Sequence, residues 1–307
     1  MGRAWEEAKE EKKKINKFSL VVCLIADILL IMLFLYPRAT QMNRVFGLSN
    51  GSIMFMLLPM LVIDLLICVV LNLAMSKKQK AYKKIYKDTI INKIISNFYT
   101  GLEYFPEKQM PQYIYDEPAY NEYYNRYGSD DYFEAEINEK HGIQMGEVKT
   151  EKVETHTDSE GRTHTTTTTI FHGLFAKIVM DKTINSELRI VLNGRMFFNK
   201  ERLKMDSTEF EKYFDVQASN KIIGMQILTA DVMEELIDFQ NKTKIKYDIA
   251  IINNNLYLRF HCGSMFEPQN IKKGALDRKS LETYFYMLNF TYNLSNKIIN
   301  TVNETEI

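Results

Sequence analysis

Two long apolar runs, Phe18 to Tyr36 and Ile53 to Met75, stand in a chain that is otherwise polar and charged, and they set what it can fold into. They hold about 19 and about 23 residues, and a helix needs roughly 20 to cross a bilayer. Each carries one acid near its middle, Asp27 and Asp64. A central Asp costs about 2.5 to 3.5 kcal/mol on insertion, whereas the Leu, Ile, Val and Phe residues of the first run together return about 4 to 8 kcal/mol. Insertion wins in both runs. Pro59 falls in the first turns of the second run, where its missing N–H costs little.

The flanks give the orientation. Arg3, Lys9, Lys12, Lys13, Lys14 and Lys17 precede the first run, Lys77, Lys78, Lys80, Lys83, Lys84 and Lys87 follow the second, and the connecting loop has only Arg38 and Arg44. The excess of Lys and Arg at both ends places both termini in the cytoplasm, as a multi-pass hairpin in the cell membrane. The first run is too long for the apolar part of a cleaved signal peptide and is followed by a second span.

These readings divide the chain into a basic N-terminus (1–17), a first span (18–36), an extracytoplasmic loop (37–52) and a second span (53–75). A basic amphipathic helix (76–101), a Tyr-rich connection (102–132) and a cytoplasmic domain (133–307) follow. In the helix Tyr82, Ile85, Tyr86, Ile90, Ile91, Ile94, Ile95 and Phe98 recur at helical spacing, and Gly101 is expected to end it. Lys77, Lys78, Lys80, Lys83 and Lys84 either contact anionic lipid headgroups or only fix the topology. The connection carries ten tyrosines and prolines of note, among them Tyr104, Tyr113, Tyr115, Tyr120 and Tyr123. It is either a docking surface, because tyrosine offers large area at low entropy cost, or an extended link packed on its own domain.

Phe133 to Asp181 reads as sheet. The segments 147–157 and 162–170 flank a turn at Ser159-Glu160-Gly161, a register that sets Asp158 opposite Arg162 and His156 opposite His164. Two cross-strand imidazoles are within ligand reach of a metal, but spacing supplies no third ligand, and a polar Thr/His hairpin explains the same residues. Leu188 to Leu192 reads as a short strand, Thr229 as the start of a helix with Asp231, Glu234 and Glu235 in its first turns. Ile245–Ile252 and Leu256–Cys262 read as a hairpin across Asn253-Asn254-Asn255. The last helix is expected over 281–299 with Leu281, Phe285 and Leu288 on one stripe. Strands and helices come in runs rather than alternating. The fold class is therefore α+β, a transmembrane hairpin followed by antiparallel sheet and helices.

Four blocks resemble successive motifs of a known family: Phe171-His172-Gly173-Leu174-Phe175, the segment Glu209 to Val216, Ile227-Leu228-Thr229 with Met233, and Met265-Phe266-Glu267-Pro268. Together with the double N-terminal span and its basic flanks they are similar to the bacterial domain-of-unknown-function family numbered 3137. The resemblance implies a two-span membrane protein with a cytoplasmic α+β domain. It brings no catalytic residues and points to a LemA-like membrane protein as a partner.

Enzyme signatures are missing: no GxGxxG, no phosphate-binding GxxxxGK, no GxSxG and no HExxH. His261 beside Cys262 pairs a base with a nucleophile on paper, yet adjacent strand residues point to opposite faces. No cofactor is expected, and a formal net charge of +0 argues against nucleic acid as a partner. Asp27 and Asp64 fall at similar depth in an antiparallel hairpin, so they act as assembly glue, as passive protonated residues or as an ion path. The chain reads as a membrane-anchored scaffold or regulatory protein that contacts lipids and another membrane protein or a second copy of itself. The alternative is a subunit of an ion- or proton-coupled membrane complex.

Overall fold

The computed structural model describes scattered positions from 66 to 81 and the chain from 83 to 304, apart from 138–140, 159, 194–201 and 268–277. The first span and most of the second, with Asp27 and Asp64, lie outside the described residues. Among the described residues no helix is long and apolar enough to cross a membrane. The chain divides into two compact units, Met1–Ile85 with Asn270–Ala275, and Tyr86–Gln269 with Leu276–Ile307. In the first, the described positions up to Ile85 are helical, and Leu66, Val69, Val70 and Leu73 are exposed.

The second unit is built on a seven-stranded antiparallel sheet: β1 (Thr100–Phe105), β2 (Arg126–Ile137), β3 (His141–Thr157), β4 (Thr163–Leu192), β5 (Arg202–Leu203), β6 (Phe214–Ala218) and β7 (Lys246–His261). The order is β1-β2-β3-β4-β6-β5, with β7 on the other edge of β4. The 30-residue β4 organises the rest. It pairs with β3 through Ile178, with β6 from Leu188 to Leu192, and with β7 along its opposite edge from Leu174 to Val191. Leu188–Leu192 is thus the end of β4 and not a separate short strand.

The expected hairpin at Asn253-Asn254-Asn255 does not form. β7 runs straight through the three asparagines along β4, Asn255 opposite Val179 and Asn253 opposite Ile184. The turn propensity of Asn is absorbed as an irregularity, with Asn253 at φ +56°. A continuous partner strand outweighs a local turn preference, because each further residue paired satisfies backbone groups that a buried turn would leave open.

Among the described residues five short or long helices complete the unit: α1 (Asn92–Ile95), reached through a π-turn at Lys87–Ile91, α2 (Gln112–Asp116), α3 (Lys221–Ile227), α4 (Ala230–Thr243) and α5 (Arg278–Glu304). The entering helix ends at Ile95 rather than at Gly101, which lies inside β1 at φ +57°. Tyr86, Ile91 and Ile95 are buried, and Ile85 is exposed. In α4 the Thr229 hydroxyl accepts from the N–H of Val232 at 3.4 Å, the expected N-cap. In α5 the buried stripe is Tyr284, Met287, Leu288, Leu294 and Ile298. Phe285 falls beside it and is 49% exposed.

Strand alternation sends side chains to two cores. Leu174, Ala176, Ile178, Ile249, Ile251, Leu258 and Phe260 face α4, α5 and the 86–95 segment, where the rings of Phe239 and Phe290 stack at 4.1 Å. Phe171, Phe175, Ala250 and Tyr257 face the opposite side and are covered by Met110, Ile114, Tyr115 and Tyr120. The Tyr-rich connection is therefore a strap packed on its own sheet, joined at one end to β1 and at the other to β2. Tyr113 and Tyr123 remain exposed on its outer side.

Candidate functional site

Where the entering helix meets the sheet, one lysine gathers three carboxylates from two places in the chain. Lys87 is 6% exposed, and its ammonium lies 2.6 Å from Asp131, 3.1 Å from Glu267 and 4.0 Å from Asp130. Asp131, wholly buried in β2 at φ +52°, also accepts from the hydroxyl of Tyr104 on β1. Burial raises the Asp131 carboxyl to about 6, against the opposing pull of Lys87 and Tyr104. Burial also works against the charge on Lys87, but Asp131 and Glu267 outweigh it and hold the ammonium above its usual range.

The second half of this knot is Glu147 of β3. Its Oε2 accepts from the backbone N–H of Met265 at 3.0 Å and of Phe266 at 3.3 Å, and its Oε1 lies 3.8 Å from His172 Nε2. His172 in turn meets the Ser264 hydroxyl at 3.1 Å, and the N–H of Gly263 donates to the His172 carbonyl. Gly173 permits this close approach. A Cβ there would sit 1.8 Å from the carbonyl oxygen of Phe260. Two of the four sequence blocks, 171–175 and residues 265–267 of the last, thus meet at one place in the fold. Oxygens of Asp130, Asp131 and Glu147 lie within 4.8 Å of one another. Lys87 already neutralises Asp131, and one Glu147 oxygen is committed to two backbone donors. The arrangement therefore fastens the entering helix and the 264–267 segment to β2 and β3.

A second ionic centre lies under the strap. Arg259 of β7 is 0% exposed. It donates to Asp248 at 2.8 and 3.0 Å and, as a fork, to the two oxygens of Glu122 at 2.6 and 3.0 Å. Its guanidinium stacks 3.9 Å from the Tyr120 ring. Burial pushes the Asp248 carboxyl up, but His261 at 2.9 Å and Arg259 bring it below the ordinary range. Arg189 holds the Pro118 carbonyl at 2.6 Å, and Lys177 and the Tyr257 hydroxyl hold Glu117. The strap is latched by charge as well as by its buried rings.

Of the residues singled out by sequence, Lys77, Lys80, Lys83 and Lys84 are helical and exposed, and Lys78 lies outside the described residues. Lys87, which shares only the basic flank of the second run with them, is buried in the knot. His156 and His164 stand opposite each other, as the expected register requires. His261 bonds to Asp248, while the Cys262 thiol donates to the Phe260 carbonyl and is pushed up to about 12 by burial. The two neighbours do not form a base and nucleophile pair. Asp131, Glu147, Asp248 and Arg259 escaped the sequence reading; Asp248 and Arg259 bear a signal, a charge set in an apolar strand, whereas Asp131 and Glu147 stand in strands already rich in charge.

Residues 169–299 match the family model described as "Protein of unknown function (DUF3137)", and all four resembling blocks fall inside that range. Comparison with curated proteins gives no match. Among solved structures, the crystal structure of the mycobacterial trehalose monomycolate transport factor A, TtfA, aligns over 70% of this chain and 94% of its own. The identity is 9% and the TM-score 0.35, too slight a likeness to carry an argument.

Proposed function

We propose that this chain, whose residues 169–299 belong to the DUF3137 family of unknown function, is a membrane-anchored cytoplasmic scaffold or regulatory protein that works through protein partners. The apolar runs at 18–36 and 53–75 anchor it as a hairpin with both termini in the cytoplasm. Lys77, Lys78, Lys80, Lys83 and Lys84 contact lipid headgroups. The exposed apolar side chains at helical positions 66, 69, 70 and 73 support this anchoring. The partner is another membrane protein or a second copy.

The observation that carries the reading is a projecting ribbon. β2 pairs with β3 only as far as Glu151, and Asn125 caps Val153 through its side chain. β7 reaches β4 only at Leu174. Glu154–Thr157 and Thr163–Thr166 therefore pair with each other alone among the described residues, and both outer edges are open. Open strand edges are templates for strand addition. A domain presenting such a ribbon is suited to holding a partner by strand addition.

Purification of the intact chain in mild detergent, followed by native mass and mass spectrometry of its companions, tests this. A stoichiometric companion or a defined self-complex is expected, and it should be lost when Glu154–Thr166 is replaced by a two-residue turn. A lone monomer overturns the proposal.

A further inference from the structure

The ribbon tip brings two of three prospective ligands to metal spacing, which sequence spacing alone does not reveal. His156 and His164 face each other across the two strands, with Cβ atoms about 5 Å apart on one face. The missing third ligand comes from the turn. Asp158 Oδ1 accepts from the backbone N–H of Glu160 at 3.0 Å and of Arg162 at 2.8 Å. That cap turns the other oxygen, Oδ2, back over the ribbon to lie 3.4 Å from His164 Nε2. A tetrahedral ion with bonds of about 2.0 to 2.1 Å has ligand-to-ligand edges of about 3.4 Å. The carboxylate and imidazole, which pair with each other, already stand at that spacing; the ring of His156 lies farther off, on an exposed side chain that turns toward them to complete the set.

We propose that His156, His164 and Asp158 bind one divalent metal ion of the zinc class at the ribbon tip. Two imidazoles and one carboxylate suit a borderline ion such as Zn2+ rather than the hard Mg2+ or Ca2+, which take oxygen ligands. Glu154 lies two residues along the same face but is held by Lys152 at 2.7 Å, so the fourth position is left to solvent. Bound metal would staple a ribbon that otherwise depends on its own ladder. The all-oxygen group Asp130, Asp131 and Glu147 is the competing location, occupied by the Lys87 ammonium.

The test is calorimetric titration of the intact, detergent-purified chain with Zn2+, repeated with Co2+ to read the visible bands of a tetrahedral site. One equivalent is expected to bind. His156→Ala and His164→Ala should each weaken binding at least tenfold and abolish the Co2+ bands, with Thr167→Ala unchanged. Asp158→Asn keeps the Oδ1 cap but replaces the ligand oxygen, so it should weaken binding several-fold without opening the turn. Undiminished binding by the double His variant, undiminished binding by Asp158→Asn, or the absence of saturable binding by the parent chain each overturns the proposal.

Discussion

At the scale of single residues the Lys87 knot makes the sharpest demands. Lys87→Met leaves Asp131 wholly buried without its cation and next to Asp130 and Glu267. Breaking a buried pair from one side costs about 3 to 5 kcal/mol, and chemical denaturation at pH 7 should show a loss of that order. The loss should be smaller at pH 5, where Asp131 takes up a proton, and smaller in the Lys87→Met, Asp131→Asn double variant, whose cycle gives the coupling. Asp131 also sets a pH dependence of its own. Its carboxyl is raised to about 6 in the folded chain and is near 3.9 when unfolded. Between about pH 4 and pH 6 the folded state therefore holds more protons than the unfolded one, and the Asp131 contribution to stability falls as pH rises. Asp131→Asn should flatten the stability profile across that window. An unchanged slope would show that other groups govern it.

At the scale of elements the strap is the part expected to move independently. Glu122→Ala removes one carboxylate from Arg259 but leaves Asp248 in place, so the sheet keeps a balanced pair. Hydrogen exchange should speed up over residues 111–124 and stay unchanged in β7. Arg259→Met takes the guanidinium from wholly buried Asp248, which keeps His261, and from partly buried Glu122, and should lower global stability by about 3 to 5 kcal/mol. Equal, global effects from the two variants would show that strap and sheet unfold as one. The elements also differ in how far the sequence disclosed them. Thr229 and the acids after it marked the start of α4, and Asp158 to Arg162 with Gly161 set the register of β3 on β4, because both signals act within a few residues. The hairpin expected at Asn253-Asn254-Asn255 and the short strand at Leu188 failed for the opposite reason. Their lengths depend on which strand lies alongside: β7 runs on through the asparagines beside β4, and the Leu188 segment runs on within β4 beside β7.

At the scale of the whole molecule the unit from Tyr86 onward carries both cores and the full sheet. A chain begun at Lys77 should therefore fold and, lacking both apolar runs, leave the membrane fraction on centrifugation. A chain that remains with the membrane would show that the domain holds lipid by itself. The sequence alone determined the two apolar runs, the basic flanks, the α+β class and the facing histidines, since periodicity, charge count and turn chemistry are local properties. Only the tertiary structure decided that Lys87 belongs to the domain and not with the exposed lysines before it, that the tyrosines form a strap, and that Asp158 turns an oxygen toward His164. The physical reason is common to the first two, whereas Asp158 and His164 are exposed and near in sequence, and there the geometry of the turn decides. A buried charge or ring is stable only against a partner, and Lys87 and Asp131 lie 44 residues apart while Arg259 and Glu122 lie 137 apart, separations that chain closure bridges and no local pattern records.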